Sequence, residues 1–167
     1  GERVRIHREA AEIEEKRAQR PGDALGHHIE ILKLRPDDTQ AEAEILRLAA
    51  ATGEYALAAK SIEQASTALP PAAPRLTQLL LAASRLFDEN AGDKPAALAC
   101  AEKAAKAAPA DRAVRLVVVR LASQQGAFQT AVEAALAEPF DAGVLVGDFL
   151  LAGGGCWPER GDIDVGH

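Results

Sequence analysis

The chain has 167 residues, of which 48% are hydrophobic and only 4% aromatic, and its net charge is −6. This length is sufficient for one domain. The charge is acidic and no basic stripe is present, which argues against a nucleic acid as the partner. No apolar run approaches the roughly 20 residues that a membrane-spanning helix needs, so no membrane span is expected.

The apolar spacing predicts eight helices before residue 138. Val4, Ala11 and Ile13 form the predicted apolar side of the first helix, and Asp23 is the predicted N-cap of the second. Prolines follow the second helix of each pair, since the residue before a proline is pushed out of helical geometry. The predicted helices cover residues 4–19, 24–34, 40–52, 54–68, 75–89, 94–107, 112–124 and 127–137.

The helix pairs repeat along the chain. The segments Gly53–Pro70 and Gly92–Pro109 are equally long and share one layout, with a glycine at the turn, small residues inside the helix and a proline at the end. Gly126 opens a third copy, which follows Gly92 at the period of roughly 34 residues that is typical of one class of helical repeat. The step from Gly53 to Gly92 is longer than this period. A recurring distance of this size indicates a helical-repeat protein.

This period and the turn glycines resemble the tetratricopeptide-repeat family, in the divergent form common in large bacterial proteins. The resemblance covers roughly residues 5–143 and implies an all-α, right-handed superhelical solenoid of about four helix-turn-helix units plus a C-terminal helix. The expected units are residues 5–38, 39–72, 77–111 and 112–143, followed by an end helix at 143–152. These make a repeat domain over residues 1–152, and residues 153–167 are a glycine-rich linker and acidic tail.

The third unit departs from the common pattern at its turn, which is one residue longer than its counterparts. Allowing for this residue places Ser84 at the family's small position and Phe87 at its aromatic position. The helix over residues 112–124 is the most apolar of the set. We expect it to be covered on both sides.

Residues that carry chemistry form no recognisable catalytic set. No phosphate-binding loop or nucleophile elbow is present. Cys100 lies among alanines on a predicted helix, where a buried thiol is inert. The histidines are His7, His27, His28 and His167, and a metal site needs three or four ligands. We therefore expect no enzyme activity, no cofactor and no metal.

The resemblance implies that the first helix of each unit lines a concave groove. Arg47, Arg85 and Arg120 fall at equivalent positions, six or seven residues before the turn glycine. Such a ladder could clamp carboxylates or main-chain carbonyls of a bound peptide. Alternatively, arginine is simply a good helix former there, or it pairs with Glu44 and Asp88 inside the array. The other expected groove residues are Gln40, Gln78, Asp88, Arg115 and Gln124.

The segment 143–152 is apolar nearly all round, unlike an ordinary capping helix. It either packs against the last unit or contacts another molecule, including a second copy of the chain. The predicted interface residues are Val144, Leu145, Phe149, Leu150 and Trp157. The expected function is a scaffold that binds a protein or peptide in the groove, and the alternative is a regulatory or spacer segment of a larger protein. The compartment stays open, with the cytoplasm favoured.

Overall fold

The computed structural model describes residues 1–136, which form helices and turns and contain no β-strand. The prediction of an all-α fold is confirmed for this range. A π-helical stretch, Leu86–Ala91, continues α5 and is called the π segment below. The α-helices are α1 (Glu2–Lys16), α2 (Pro21–Leu34), α3 (Thr39–Thr52), α4 (Tyr55–Ser66), α5 (Pro74–Arg85), α6 (Lys94–Ala107), α7 (Arg112–Gln124) and α8 (Phe128–Leu136).

Helices that are neighbours in the chain pack against each other, from α1 on α2 through to α7 on α8. Contacts beyond this order join α2 to α4 and the π segment to both α4 and α6. We name the four successive helix pairs unit 1 (α1, α2), unit 2 (α3, α4), unit 3 (α5, α6) and unit 4 (α7, α8). The described residues thus follow a pairwise order along the sequence.

The turn inside each unit contains one residue with a left-handed backbone. These residues are Gln19, Gly53, Gly92 and Gly126, with φ angles of 54°, 77°, 70° and 73°. Glycine adopts this conformation without a steric cost, which explains three of the four positions. Gln19 is the first-unit counterpart, and it was not predicted because only its backbone, and not its residue type, resembles the others. The distance in sequence from Gln19 to Gly53 equals that from Gly92 to Gly126, and the distance from Gly53 to Gly92 is longer.

A buried alanine follows each left-handed residue by five positions. These alanines are Ala24, Ala58, Ala97 and Ala131, and none of them is more than 5% exposed. Each lies in the first two turns of the second helix of its unit. A methyl side chain lets this helix approach its neighbours closely without a void, which is how an alanine-rich core reaches a high packing density. The backbone turn and the small side chain therefore recur together.

Aspartates cap three of the helices. The Asp38 carboxylate accepts a hydrogen bond from the Ala41 N–H at 2.9 Å, and the Asp111 carboxylate accepts one from the Ala113 N–H at 2.9 Å. Asp93 caps α6 in the same way. These bonds satisfy backbone donors that the first turn of a helix leaves free.

The predicted N-cap at Asp23 is wrong, because α2 begins two residues earlier at Pro21. The fixed φ of proline suits the first position of a helix, and its missing N–H is not needed there. Asp23 then lies in the first turn, where a negative charge is favourable. The end of α1 also differs from the prediction, since the helix ends at Lys16 and not at residue 19.

The extra residue predicted in the turn of unit 3 is absorbed by the π segment. A π-helix accommodates an inserted residue inside an otherwise continuous helix. Ser84 is 1% exposed and donates a hydrogen bond to the Ala97 carbonyl oxygen at 2.8 Å, while Phe87 is 1% exposed. Both residues are therefore buried in the core. This agrees with the positions that they were assigned once the extra residue in the turn was allowed for.

Two expectations about burial are wrong. Ile13 is 49% exposed, because Val4 and Ala11 on the opposite side of α1 face the core. Leu116 is 38% exposed, so the described residues do not cover α7 on both sides. Both residues are apolar and lie on first helices, a placement that bears on the candidate site below.

The left-handed turns predict opposite effects for two substitutions. A Cβ at Gly53 would meet no atom within 4 Å, so Gly53→Ala tests the backbone alone. We expect this variant to lose about 1–2 kcal/mol of unfolding free energy, whereas Gln19→Gly should gain up to about 1 kcal/mol. Urea unfolding measures both. Gln64→Gly, at an exposed position inside α4, is the control and should be destabilising by about 0.5–1 kcal/mol. A loss in Gln19→Gly as large as that of the control would contradict the assigned turn.

Candidate functional site

Ion pairs join the first helix of each unit to the first helix of the next. Arg8 on α1 pairs with Asp38, the N-cap of α3, at 2.9 Å, and Arg47 on α3 pairs with Glu15 on α1 at 2.8 Å. In α3 and α5, Arg75 Nη2 lies 2.7 Å from Glu42 Oε2. The partners in each pair are separated in the sequence by close to one repeat. We call α1, α3, α5 with its π segment, and α7 the first-helix layer.

Arg47 is held by two carboxylates. Its guanidinium donates to Glu44 on the same helix at 2.6 Å and to Glu15 on α1 at 2.8 Å. These hydrogen bonds, that to Glu44 first and that to Glu15 second, raise the pKa of Arg47 above its usual value. The predicted alternative partner Glu44 is confirmed, and Glu15 is a second partner that was not predicted.

Arg120 reaches a carboxylate of unit 3. Its Nη1 donates to Asp88 Oδ2 at 2.9 Å, and Lys94 binds the other carboxylate oxygen of Asp88. Asp88 is 6% exposed because the π segment turns it into the core. The hydrogen bond from Lys94 is the largest influence, and together with Arg120 it lowers the pKa of Asp88 despite the opposing effect of burial. Asp88 is therefore an internal partner that joins unit 3 to unit 4.

Arg85 is exposed at the end of α5, and its side chain makes no ion pair or hydrogen bond with another described residue. Arg85 lacks a partner among these residues because the preceding unit has no carboxylate at the matching position. Glu15 and Asp88, which pair with the arginines of the following units, each stand four positions before a left-handed residue. Ala49 stands at this position in unit 2 and carries no charge. Arg85 is therefore the arginine of the ladder whose charge is left available.

The remaining predicted groove residues differ in their surroundings. Gln40, Gln78 and Gln124 are exposed on α3, α5 and α7. Arg115 is 7% exposed, and its Nη1 donates to the Pro109 carbonyl oxygen at 2.7 Å. This bond ties α7 to the turn before it. The predicted interface residues Val144, Leu145, Phe149, Leu150 and Trp157 lie outside the described residues.

Exposed apolar residues share the register of the arginines. Counted back from the left-handed residues, Ile13 in unit 1 occupies the position that Arg47 and Arg120 occupy in units 2 and 4. Ile6 lies two turns earlier on α1 and is 52% exposed. Leu116 lies one turn before Arg120 on α7. These residues were missed because an apolar residue on an amphipathic helix is ordinarily assigned to the core.

Cys100 lies outside this layer, on α6. Cys100 is 1% exposed, and burial raises the pKa of its thiol to about 12. The expectation that Cys100 is buried is confirmed. Among residues 1–136, no group of three or more His, Cys, Asp and Glu side chains is placed to hold a metal ion.

Comparison of the chain with protein-family models and with curated proteins finds no match. In the part of the chain that the structure describes, no helix combines the length and the apolar character needed to cross a membrane. The candidate site must therefore be interpreted from its own geometry. That geometry consists of the uncompensated arginine of the ladder, Arg85, and exposed apolar side chains on the same first-helix layer.

Removing the charge of Asp88 should weaken the fold. Asp88→Asn keeps the shape of the side chain but takes the negative charge away from Lys94 and Arg120. We expect the free energy of unfolding at neutral pH to fall by about 1.5–3 kcal/mol, since a buried, charged hydrogen-bond partner is lost. Because the pKa of Asp88 is lowered, its contribution should also disappear as the pH falls below the ordinary value of 3.8.

The matched control is Arg47→Gln, which breaks a half-exposed pair on the same layer. This variant should cost less than about 1 kcal/mol, because exposed ion pairs contribute little. Urea unfolding of both variants measures these losses in the free energy of unfolding. Equal losses would show that the burial of Asp88 in the π segment has no energetic consequence.

Burial of His28 predicts that acid destabilises the protein. Burial lowers the pKa of His28, with smaller effects from Glu44, Arg47, Glu15 and Arg8, and its Nδ1 is buried without a partner among the described residues. The unfolded chain therefore takes up a proton more readily than the folded chain. The stabilisation from neutral His28 should be complete above about pH 6.5 and should be lost as the pH falls below it.

Urea unfolding between about pH 7 and pH 5 measures this loss. His28→Leu removes the titrating group while keeping an apolar side chain of similar size, so the variant should lose less stability over this range than the wild type. His167→Gln is the control and should behave like the wild type. An unchanged pH dependence in His28→Leu would refute the assignment.

Proposed function

We propose that this chain is a tetratricopeptide-like scaffold without enzyme activity, and that it binds a polypeptide segment on the first-helix layer. In this proposal the four units stack as a right-handed solenoid, and the first helices line its concave side. The ligand would be an extended or helical peptide that runs across successive first helices.

The recurrence of one local geometry supports the solenoid. Each unit combines a left-handed turn residue with a buried alanine five positions later. Ion pairs then link successive first helices, and Lys103 on α6 pairs with Glu63 on α4 at 2.6 Å, which links two second helices in the same way. Contacts between like helices of neighbouring units are what a stacked repeat requires.

The observation that carries the binding proposal is the free charge of Arg85. A planar guanidinium with unused donors is suited to grip a carboxylate in a bidentate manner. Ile6 and Ile13 on α1 and Leu116 on α7 add apolar contact area to the same layer. We therefore expect a ligand that has an acidic side chain near Arg85 and apolar side chains to either side of it.

A second candidate is a spacer or regulatory segment that acts through α8. Phe128, Val132 and Leu136 lie four residues apart along one face of α8 and are 63%, 55% and 72% exposed. An exposed apolar stripe of this kind marks a contact surface. In this candidate, self-association or contact with other parts of a larger protein would use this face of α8.

Binding of synthetic peptides tests the first candidate. An array of peptides that vary in acidic and apolar content would be probed with the full chain, and the best binders would be measured in solution. Arg85→Gln should weaken the binding of acidic peptides by about tenfold or more, the expected effect of losing a charged hydrogen bond. Its stability should stay within about 0.5 kcal/mol of the wild type, because the side chain has no partner among the described residues.

Lys60→Gln is the matched control, since it removes one exposed positive charge from α4. It should leave the affinity unchanged. Equal weakening in the two variants would indicate attraction by overall charge and not by a site. Unaltered binding in Arg85→Gln would remove the first-helix layer as the binding surface.

A further inference from the structure

Two histidines from the two helices of unit 1 face each other. His7 on α1 and His27 on α2 are partly buried, and their Nδ1 atoms lie 3.1 Å apart. The ring centroids are 5.3 Å apart and the ring planes are inclined by 48°. The sequence alone does not reveal this contact, because the residues are 20 positions apart and belong to different helices.

The two Nδ1 atoms point at each other and are joined by a direct hydrogen bond. Without a metal, one nitrogen must carry a hydrogen and donate it to the other, so the pair uses one of several tautomeric arrangements. A histidine nitrogen binds a zinc ion at about 2.0–2.1 Å. Two such nitrogens are separated by about 3.3 Å at a tetrahedral ion and by about 2.9 Å at a square-planar one, since the bond angles are about 109° and 90°.

The observed 3.1 Å falls between these two separations. The separation of the nitrogens therefore already suits one shared ion, and the rings must rotate about their side-chain bonds so that both lone pairs converge on it. Imidazole nitrogens suit zinc, copper and nickel, whereas magnesium and calcium prefer oxygen ligands. The donor type therefore selects a transition-metal ion, and the distance between the nitrogens is compatible with one.

We propose that His7 and His27 form a two-histidine chelate for a divalent transition-metal ion such as Cu²⁺ or Zn²⁺. Water completes the coordination shell, since no described residue is placed as a third ligand. The bound ion links α1 directly to α2 and so stabilises unit 1. The test of this site is separate from that of the proposed peptide binding, because the metal experiments do not involve Arg85.

Thermal unfolding of the full chain with ZnCl₂, CuCl₂ or MgCl₂ tests the site. An ion that binds only the folded chain raises the melting temperature, by roughly 5–10 °C when the free ion is about a hundredfold above its dissociation constant. We expect this rise with Zn²⁺ or Cu²⁺ and not with Mg²⁺. His7→Gln and His27→Gln should abolish it, whereas the control His167→Gln should retain it.

The absence of a rise with both Zn²⁺ and Cu²⁺ in the wild type would overturn the proposal, as would an equal rise in His7→Gln. Nitrogen NMR of the wild-type histidines with Zn²⁺ gives a second test that needs no variant. The Nδ1 signals of His7 and His27 should shift together on addition of the ion. Shifts at other histidines alone would refute the assigned ligands.

Discussion

The left-handed turn followed by a buried alanine is the constraint on which the rest of this structure depends. At Gly53 and Gly92 the chain reverses within a few residues, and Ala58 and Ala97 then bring the returning helix against its neighbours with no exposed surface. An alanine-rich core has little apolar area per residue, so its stability must come from many close helix contacts. The recurring turn makes these contacts possible in every unit.

The charged residues follow from this backbone arrangement. Because successive first helices lie within reach of one another, Arg47 contacts Glu15 and Arg120 contacts Asp88 at the same separation in the sequence. The π segment preserves the pattern across an inserted residue by turning Asp88 inward. Ala49 interrupts the pattern, because it carries no carboxylate, and Arg85 therefore has no ion-pair partner among the described residues.

Most of the helix pairing was predictable from the sequence, because turn glycines, capping aspartates and prolines act locally. The pairing of Arg120 with Asp88 was among the predicted alternatives, since the spacing of the units already placed them one repeat apart. Other features depend on tertiary contacts: the burial of Arg115, the facing histidines, and the exposure of Ile13 opposite the core side of α1. Gln19 escaped prediction because a left-handed glutamine has no sequence signature.

Units 2 and 3 meet where the repeat spacing is irregular, so their contact tests most directly whether the units form one continuous layer. Arg75 and Glu42 join them there, each with less than a fifth of its side chain exposed, and Arg75 Nε also donates to the Pro36 carbonyl oxygen at 3.1 Å. The decisive measurement is a double-mutant cycle by urea unfolding with Arg75→Glu, Glu42→Arg and the charge-reversed double variant. The account predicts that each single variant is destabilised and that the double variant recovers at least about 1 kcal/mol relative to their sum. Strictly additive losses would show that the two helices are not in contact, and would contradict the continuous first-helix layer.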